Sequence, residues 1–170
     1  LIDHLLRSLG VPTQAAGNIG TALSDVALLD DPPAWIALEL SSYQLHDTPG
    51  LRPAVGVLTN LAPDHLDRYA TLEDYYSDKM LLFANAADTS IWVTNADDAE
   101  VQRRTVGIRG TQLRFSVRTA NADAAFDPAT GAVTRYGPRW MYRQNRPPLG
   151  HPLAPMSPRP PPRARARPDT

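Results

Sequence analysis

The sequence predicts a doubly wound α/β domain with a mostly parallel sheet, and two observations carry that prediction. Continuous apolar runs of strand length occur at residues 34–39, 53–59 and 90–94, as expected of strands that are buried on both faces of a parallel sheet. Helical patterns lie between these runs, most clearly at residues 72–86, where apolar and aromatic side chains recur at helical spacing. Strands that alternate with helices are typical of a doubly wound sheet.

The remaining elements follow in chain order. Apolar side chains at helical spacing predict a helix over residues 1–9, with Gly10 as its C-terminal stop. An extended segment precedes Gly17, and a second helix is predicted to begin near Thr21. Residues 113–117 alternate apolar and polar side chains, and a turn at 127–131 separates two short runs. This last pattern predicts a small antiparallel edge rather than another helix–strand unit.

The chain of 170 residues changes composition after residue 136. Residues 1–136 carry a net charge of −7, whereas residues 137–170 carry +6 and ten of the 17 prolines. Such a stretch donates too few backbone hydrogen bonds and buries too little apolar surface to fold. We therefore predict a domain at 1–136 and a tail at 137–170 that is disordered or out of frame. Arginines without an ordered scaffold do not predict binding to nucleic acid.

Several classes of function are excluded by what the sequence lacks. The chain has no cysteine, which rules out disulfides, thiolate metal sites and cysteine nucleophiles. It contains neither a Gly-x-x-x-x-Gly-Lys-Ser/Thr phosphate loop nor a Gly-x-Ser-x-Gly nucleophile elbow. No apolar run approaches the length that crosses a bilayer, and no secretory signal pattern is present, so we expect no membrane partner.

Polar side chains follow each of the three predicted strands. They are Glu39, Ser41 and Ser42; Asn60, Asp64 and His65; and Asn95, Asp97 and Asp98. Ligands of open α/β sheets bind outside the carboxyl ends of the strands, and carboxylates and amides suit hard cations and phosphate oxygens. The residues alone leave open that Glu39 caps a helix or forms an ion pair, and that residues 64–69 are a solvated loop.

Two further features are candidates for the same site at the carboxyl ends of the strands, which we call the rim. Gly17 and Gly20 flank Asn18 and Ile19, and the backbone amides of such a turn can receive an anion at a helix start. Lys79, the only lysine of the chain, lies in the predicted helix at 72–86. A plain turn and a surface lysine are the alternatives at these two places.

Taken together, these segments resemble the Mur ligases of peptidoglycan synthesis, and most closely the D-glutamate-adding branch of that family. The matching segments occur in family order over roughly residues 1–100: Gly17-Asn18-Ile19-Gly20, Glu39-Leu-Ser-Ser-Tyr-Gln-Leu45, Asn60-Leu-Ala-Pro-Asp-His-Leu-Asp-Arg-Tyr69, Lys79 and Asn95-Ala-Asp-Asp98. The resemblance implies the fold of the family's ATP-binding central domain.

It also implies an activity, namely an ATP-dependent amide ligase that works through an acyl phosphate. The substrates would be UDP-N-acetylmuramoyl-L-alanine and D-glutamate, and the cofactors ATP and two Mg²⁺ ions. By resemblance, Glu39, His65 and a carbamylated Lys79 would be metal ligands, with His65 and Lys79 also catalytic. Asn18, Ser41 and Gln44 would line the site of the UDP-linked substrate.

The resemblance further implies a cytoplasmic bacterial enzyme that is monomeric when complete. The family's phosphate loop would precede Leu1, and the resemblance fades after residue 136. We therefore expect a fragment that is inactive by itself. Two alternatives remain: another amide ligase of the same superfamily, such as a folylpolyglutamate synthase-like enzyme, or a substrate-binding module without catalysis. Tyr43 and Gln44 argue against the first alternative, and the absent phosphate loop supports the second.

Overall fold

A computed structural model of the chain describes residues 1–64, 67–119, 121–127 and 129–135. The helices are α1 (Ile2–Ser8), α2 (Leu23–Ala27), α3 (Ser42–His46), α4 (Leu72–Met80) and α5 (Ala99–Thr105). The strands are β1 (Thr13–Gly17), β2 (Trp35–Glu39), β3 (Val55–Leu58), β4 (Ile91–Asn95), β5 (Thr111–Ser116), β6 (Ala124–Asp127) and β7 (Ala132–Arg135). The predicted tail at 137–170 lies outside the described residues.

The strands confirm a mostly parallel α/β fold and divide it between two sheets. In the first sheet, β1 and β2 run parallel, and their register pairs Gly17 with Glu39. The second sheet has the order β3-β4-β5-β6-β7, in which only the β6–β7 pair is antiparallel. The predicted antiparallel edge is therefore confirmed for β6 and β7.

The same edge is wrong for residues 113–116, because β5 pairs in parallel with both β4 and β6. Leu113 and Phe115 are partly buried while Arg114 is exposed. Alternation of apolar and polar residues reflects the two-residue period of any strand, so it does not distinguish parallel from antiparallel pairing.

The three helices that the sequence predicts form with shifted ends. The helix predicted at 1–9 is α1, and the one predicted near Thr21 begins at Leu23. In place of one helix over 72–86, α4 ends at Met80 and a 3₁₀ turn follows at Leu81–Phe83. Among the described residues, no helix is both long and apolar enough to cross a membrane.

The main core packs α4 and α5 against the second sheet. Trp92 of β4 is fully buried, contacts Phe83 edge to face at 4.7 Å between ring centroids, and donates from Nε1 to the Arg109 carbonyl at 2.6 Å. Gly56 of the neighbouring strand makes room for that indole, since a Cβ there would lie 2.5 Å from the ring. Leu58, Leu61, Tyr75, Tyr76 and Val101 complete this core.

Burial on both faces, which the apolar runs predicted, is wrong for β2 and β3. Trp35 and Ile36 are 46% and 37% exposed, and Val55 and Val57 are 41% and 40% exposed. No other described residue fully covers these side chains, so β2 and β3 contain more apolar side chains than the observed structure buries.

The two sheets are joined through the segments that follow β2 and β3. α3 packs against α4 and against the 3₁₀ turn after it. The amide of Asn85 donates to the carbonyls of Pro49 and Leu51 at 2.8 and 2.9 Å, which fastens the end of the α3 segment to the second sheet's helix layer. The relative position of the two strand ends therefore depends on α3 and α4.

Candidate functional site

The carboxyl ends of β1 and β2 bring Asn18 and Glu39 together. The Asn18 backbone amide donates to the Glu39 carbonyl at 2.9 Å, and its side-chain amide reaches Glu39 Oε1 at 3.4 Å. Gly17 makes this approach possible, because its φ is +103° and a Cβ would lie 2.2 Å from the Glu39 carbonyl oxygen. The glycine is therefore required by the geometry that presents Glu39 at the sheet edge.

The turn at residues 17–20 uses backbone amides that an anion site would need. Gly17 donates to the Thr21 carbonyl at 2.9 Å, and Asn18 donates to Glu39. The helix that follows has only five residues and begins two residues after Thr21. The structure thus favours a tight turn that positions Asn18. It does not favour an anion site at the start of α2.

Ser41 and Gln44 form the capping box of α3. Ser41 Oγ accepts from the Gln44 backbone amide at 3.2 Å, and Gln44 Oε1 accepts from the Ser41 backbone amide at 2.9 Å. Reciprocal capping satisfies two backbone donors that a helix start leaves unpaired. Both side chains are therefore held two to five residues beyond Glu39, on the same edge of the first sheet.

Lys79 lies in the last turn of α4 and is partly buried. Its Nζ is 5.7 Å from the centroid of the Tyr75 ring. Burial lowers the pKa of Lys79, and the carboxylates of Asp64 and Glu39 act in the opposite direction. Glu39 of the first sheet thus favours the charged form of the α4 lysine electrostatically.

The Asp64–Arg68 segment is described only in part. Asp64 is exposed and influences Lys79, whereas His65 lies outside the described residues. Arg68 places its guanidinium carbon 4.3 Å from the centroid of the Tyr43 ring. The carboxylates of Asp64 and Glu39 thus both act on Lys79, and the role of His65 stays a prediction.

The third predicted group, at the end of β4, braces loops. The Asn95 amide donates to the Thr59 carbonyl at 2.9 Å, which ties the end of β3 to β4. Asp97 accepts from Ser116 Oγ at 2.6 Å, and this hydrogen bond is the main cause of its lowered pKa. Asp98 caps the N-terminus of α5. These side chains shape the rim, and their hydrogen-bonding groups are engaged within the fold.

Sequence reasoning missed a cluster of polar side chains at the contact between α3 and α4. Asp78 Oδ1 contacts His46 Nδ1 at 2.9 Å, and Asp78 Oδ2 accepts from the Tyr69 hydroxyl at 3.0 Å. We call His46, Asp78 and Tyr69 the α3–α4 brace. Beside it lies a cavity of about 250 Å³ that Tyr43 and Arg68 also line. The brace joins residues 32 positions apart, and no sequence motif pairs them.

A larger cavity lies away from the predicted chemistry. It measures about 840 Å³ and is lined by residues at the amino ends of β1 and β2, among them Arg7, Thr13 and Asp31. Ligands of parallel sheets bind at the opposite, carboxyl ends. Strand direction and residue chemistry therefore favour the edge that carries Glu39 over this cavity.

Comparison with known protein families shows to which family this chain belongs. The model of the Mur ligase middle domain matches residues 1–134. The chain belongs to the Mur ligase family. Among solved structures, this Mur ligase domain is similar to a MurF ligase from Thermotoga maritima in complex with ADP, with a TM-score of 0.58. The two are 23% identical, and the match covers 74% of this chain and 31% of the other; this likeness supports the fold alone.

Curated relatives of this Mur ligase domain are named UDP-N-acetylmuramoylalanine–D-glutamate ligase. The Desulfitobacterium hafniense protein is 40% identical over 116 residues, with 68% of this chain and 26% of that protein covered. The Rhizobium johnstonii protein is 37% identical over 139 residues, with 81% and 29% covered. The Fusobacterium nucleatum protein is 33% identical over 115 residues, with 68% and 27% covered. The chain thus spans less than a third of the length of these relatives.

Proposed function

We propose that this Mur ligase middle domain is part of an ATP-dependent enzyme that joins D-glutamate to UDP-N-acetylmuramoyl-L-alanine in peptidoglycan synthesis. The relatives named for that activity cover 68–81% of the chain. The geometry that supports the proposal best is at the end of β2, where the Asn18 side-chain amide reaches Glu39 Oε1 at 3.4 Å. The Glu39 carboxylate also acts to raise the pKa of the partly buried Lys79 of α4. The end of β2 is the carboxyl end of a parallel strand, where ligand sites of such folds form.

In the proposed reaction, the carboxylate of the muramoyl substrate attacks the γ-phosphorus of ATP, and ADP leaves. The amine of D-glutamate then attacks the carbonyl carbon of the acyl phosphate, loses a proton, and inorganic phosphate leaves as the amide bond forms. Magnesium, when bound, offsets the negative charge on the phosphoryl oxygens. Glu39, His65 and a carbamylated Lys79 are the proposed ligands of two Mg²⁺ ions.

The donors that the structure describes fit a hard cation only if Lys79 is modified. Among the described residues, no three His, Cys, Asp or Glu side chains are grouped in a way that could hold a metal. An ammonium beside Glu39 and Asp64 would repel a cation, whereas a carbamate presents an anionic oxygen pair. Reaction with carbon dioxide needs the neutral amine, and burial lowers the pKa of Lys79 in that direction.

Asn18, Ser41 and Gln44 are the proposed contacts for the UDP-linked substrate. The turn at Gly17 restrains Asn18, and the capping box restrains the other two. Side chains that are held before the ligand arrives lose less conformational freedom when it binds. Because ATP and a nucleotide-linked precursor are the substrates, we place the reaction in the bacterial cytoplasm, with a monomer as the catalytic unit.

The test is ligation by the longer protein that contains this domain. Purified enzyme is incubated with ATP, Mg²⁺, UDP-N-acetylmuramoyl-L-alanine and one amino acid at a time, and both amide product and phosphate are measured. We expect product with D-glutamate and none with L-glutamate, L-lysine or diaminopimelate. Product with another amino acid would assign a different ligase of the superfamily, and binding of the UDP-linked substrate without turnover would assign a non-catalytic module.

A further inference from the structure

The two halves of the proposed site belong to different sheets. Glu39 ends β2 of the first sheet, and Lys79 lies on α4, which packs on the second sheet. In the described residues the two sheets share no strand pairing, since β2 pairs with β1 and β3 pairs with β4. The separation of Glu39 from Lys79 therefore depends on how α3, which follows β2, packs against α4.

The α3–α4 brace is a polar contact between these two helices. Asp78 uses both carboxylate oxygens, one toward His46 at the end of α3 and one toward Tyr69 before α4. Its side chain is only 19% exposed, whereas that of His46 is 65% exposed. The Tyr69 ring stacks on Tyr43 of α3, with centroids 5.5 Å apart and planes 7° apart. Asp78 thus holds three chain segments at one point.

Asp78 lies next to Lys79, so the brace can affect where Lys79 lies. Asp78 immediately precedes Lys79 on α4, and consecutive helical residues move together because the backbone between them is fixed. His46 ends the five-residue helix that Ser41 and Gln44 cap at its start. A shift at the His46–Asp78 contact would therefore change the distance of Lys79 from Glu39 and from both capping residues.

We propose that His46 and Asp78 are positioning residues of the ligase site, and that their contact holds α4 against α3 so that Lys79 and Glu39, the proposed ligands of the two neighbouring Mg²⁺ ions, keep their relative positions. The inference deepens the proposed function and depends on it. Neither side chain touches the reacting atoms. The charged groups that face His46 are Asp78 on α4, Asp47 on its own segment and Arg68 before α4, with Tyr43 and Tyr69 as the other titratable neighbours.

Magnesium titration of turnover in the longer protein tests this role. Asp78→Asn and His46→Ala should each raise the half-saturating Mg²⁺ concentration about two- to fivefold, the range that a solvent-accessible ion pair reaches. The double variant should be no worse than either single variant, because both remove the same contact. His46→Arg, which keeps a cation opposite Asp78, should retain most of the magnesium affinity.

The matched control is Asp88→Asn, which breaks an exposed ion pair with Arg109 away from α3. It should leave the half-saturating Mg²⁺ concentration unchanged. A purely stabilising role for the brace would lower the melting temperature of Asp78→Asn without moving its magnesium titration. That result, or additive effects in the double variant, would overturn the proposal.

A second measurement separates failure of the brace from failure of the proposed function. Hydrogen exchange on the same protein reports the backbone hydrogen bonds of α3, from the Leu45 amide to Ser41 and from the Asp47 amide to Tyr43. Asp78→Asn should speed exchange at these amides about two- to fivefold, while Asp88→Asn should not. If the unsubstituted enzyme fails to ligate D-glutamate, the proposed function is wrong, whatever the exchange rates are. If exchange at the α3 amides is unchanged in Asp78→Asn, the role of the brace is refuted, whatever the ligation assay shows.

Discussion

Replacing Gly17 with alanine perturbs the strand end that presents Glu39. Gly17 has a φ of +103°, a backbone conformation that residues with a side chain rarely adopt. An added Cβ would also lie 2.2 Å from the Glu39 carbonyl oxygen and 2.9 Å from Leu38 Cδ1. The oxygen belongs to the backbone of a paired strand, so it cannot move aside without breaking the β1–β2 register.

The cost can be divided into strain and overlap. An L-residue in left-handed backbone costs roughly 1–2 kcal/mol, and forcing an extra methyl group into filled space adds roughly 1–3 kcal/mol. Gly107 provides the matched control, since its φ is +76° and a Cβ there would meet nothing within 4 Å. Gly107→Ala therefore carries the strain alone, and both variants gain the same small entropic stabilisation.

Urea denaturation followed by circular dichroism measures the difference. The free energy of unfolding should fall about 1–3 kcal/mol further for Gly17→Ala than for Gly107→Ala, which is the overlap contribution alone. Equal losses for the two variants would show that the strand end yields without cost. The account of Gly17 as the residue that fixes Glu39 would then be refuted.

Three further outcomes are expected. Lys79→Ala in the longer protein should lose nearly all ligase turnover and regain part of it with a short-chain carboxylic acid, whereas Lys79→Arg should stay inactive; full activity of the arginine variant would exclude a carbamate. The pKa of Asp97 is lowered mainly by the hydrogen bond from the Ser116 hydroxyl. The stabilisation that the ionised Asp97 gives the fold is therefore present above pH 3.8, the ordinary pKa of the carboxyl group, and is lost as the pH falls through the lowered value. In Asp97→Asn the acid side of a curve of stability against pH should flatten. Trp92→Ala should cost about 3–5 kcal/mol in urea denaturation, because the indole is fully buried.

The strands and the rim were predictable because their causes are local. Continuous apolar runs at 34–39, 53–59 and 90–94 reflect demand for burial along a strand, and the observed strands begin and end within two residues of them. Glu39 follows such a run directly, so its place at a strand end required no tertiary information. The observed Gly17 geometry likewise accounts for the glycine that the sequence showed beside Asn18.

The errors and omissions have tertiary causes. Leu113 and Phe115 alternate with polar residues in β5, and such alternation reflects the two-residue period of a strand without revealing the strand's direction. The contact between His46 and Asp78 arises from helix packing across a separation of 32 residues. A histidine and an aspartate are common surface residues, so no local pattern distinguishes this pair from solvated side chains.

Magnesium titration of D-glutamate ligation by Glu39→Gln tests most directly whether Glu39 is a magnesium ligand of the proposed ligase site. The substitution keeps the size of the side chain and removes the charge that the cation needs. We expect the half-saturating Mg²⁺ concentration to rise at least about tenfold, because losing even a residue that only orients a metal ligand costs about 10- to 100-fold in affinity. Asp88→Asn should remain at the unsubstituted value. An unchanged titration in Glu39→Gln would contradict a magnesium site at the end of β2.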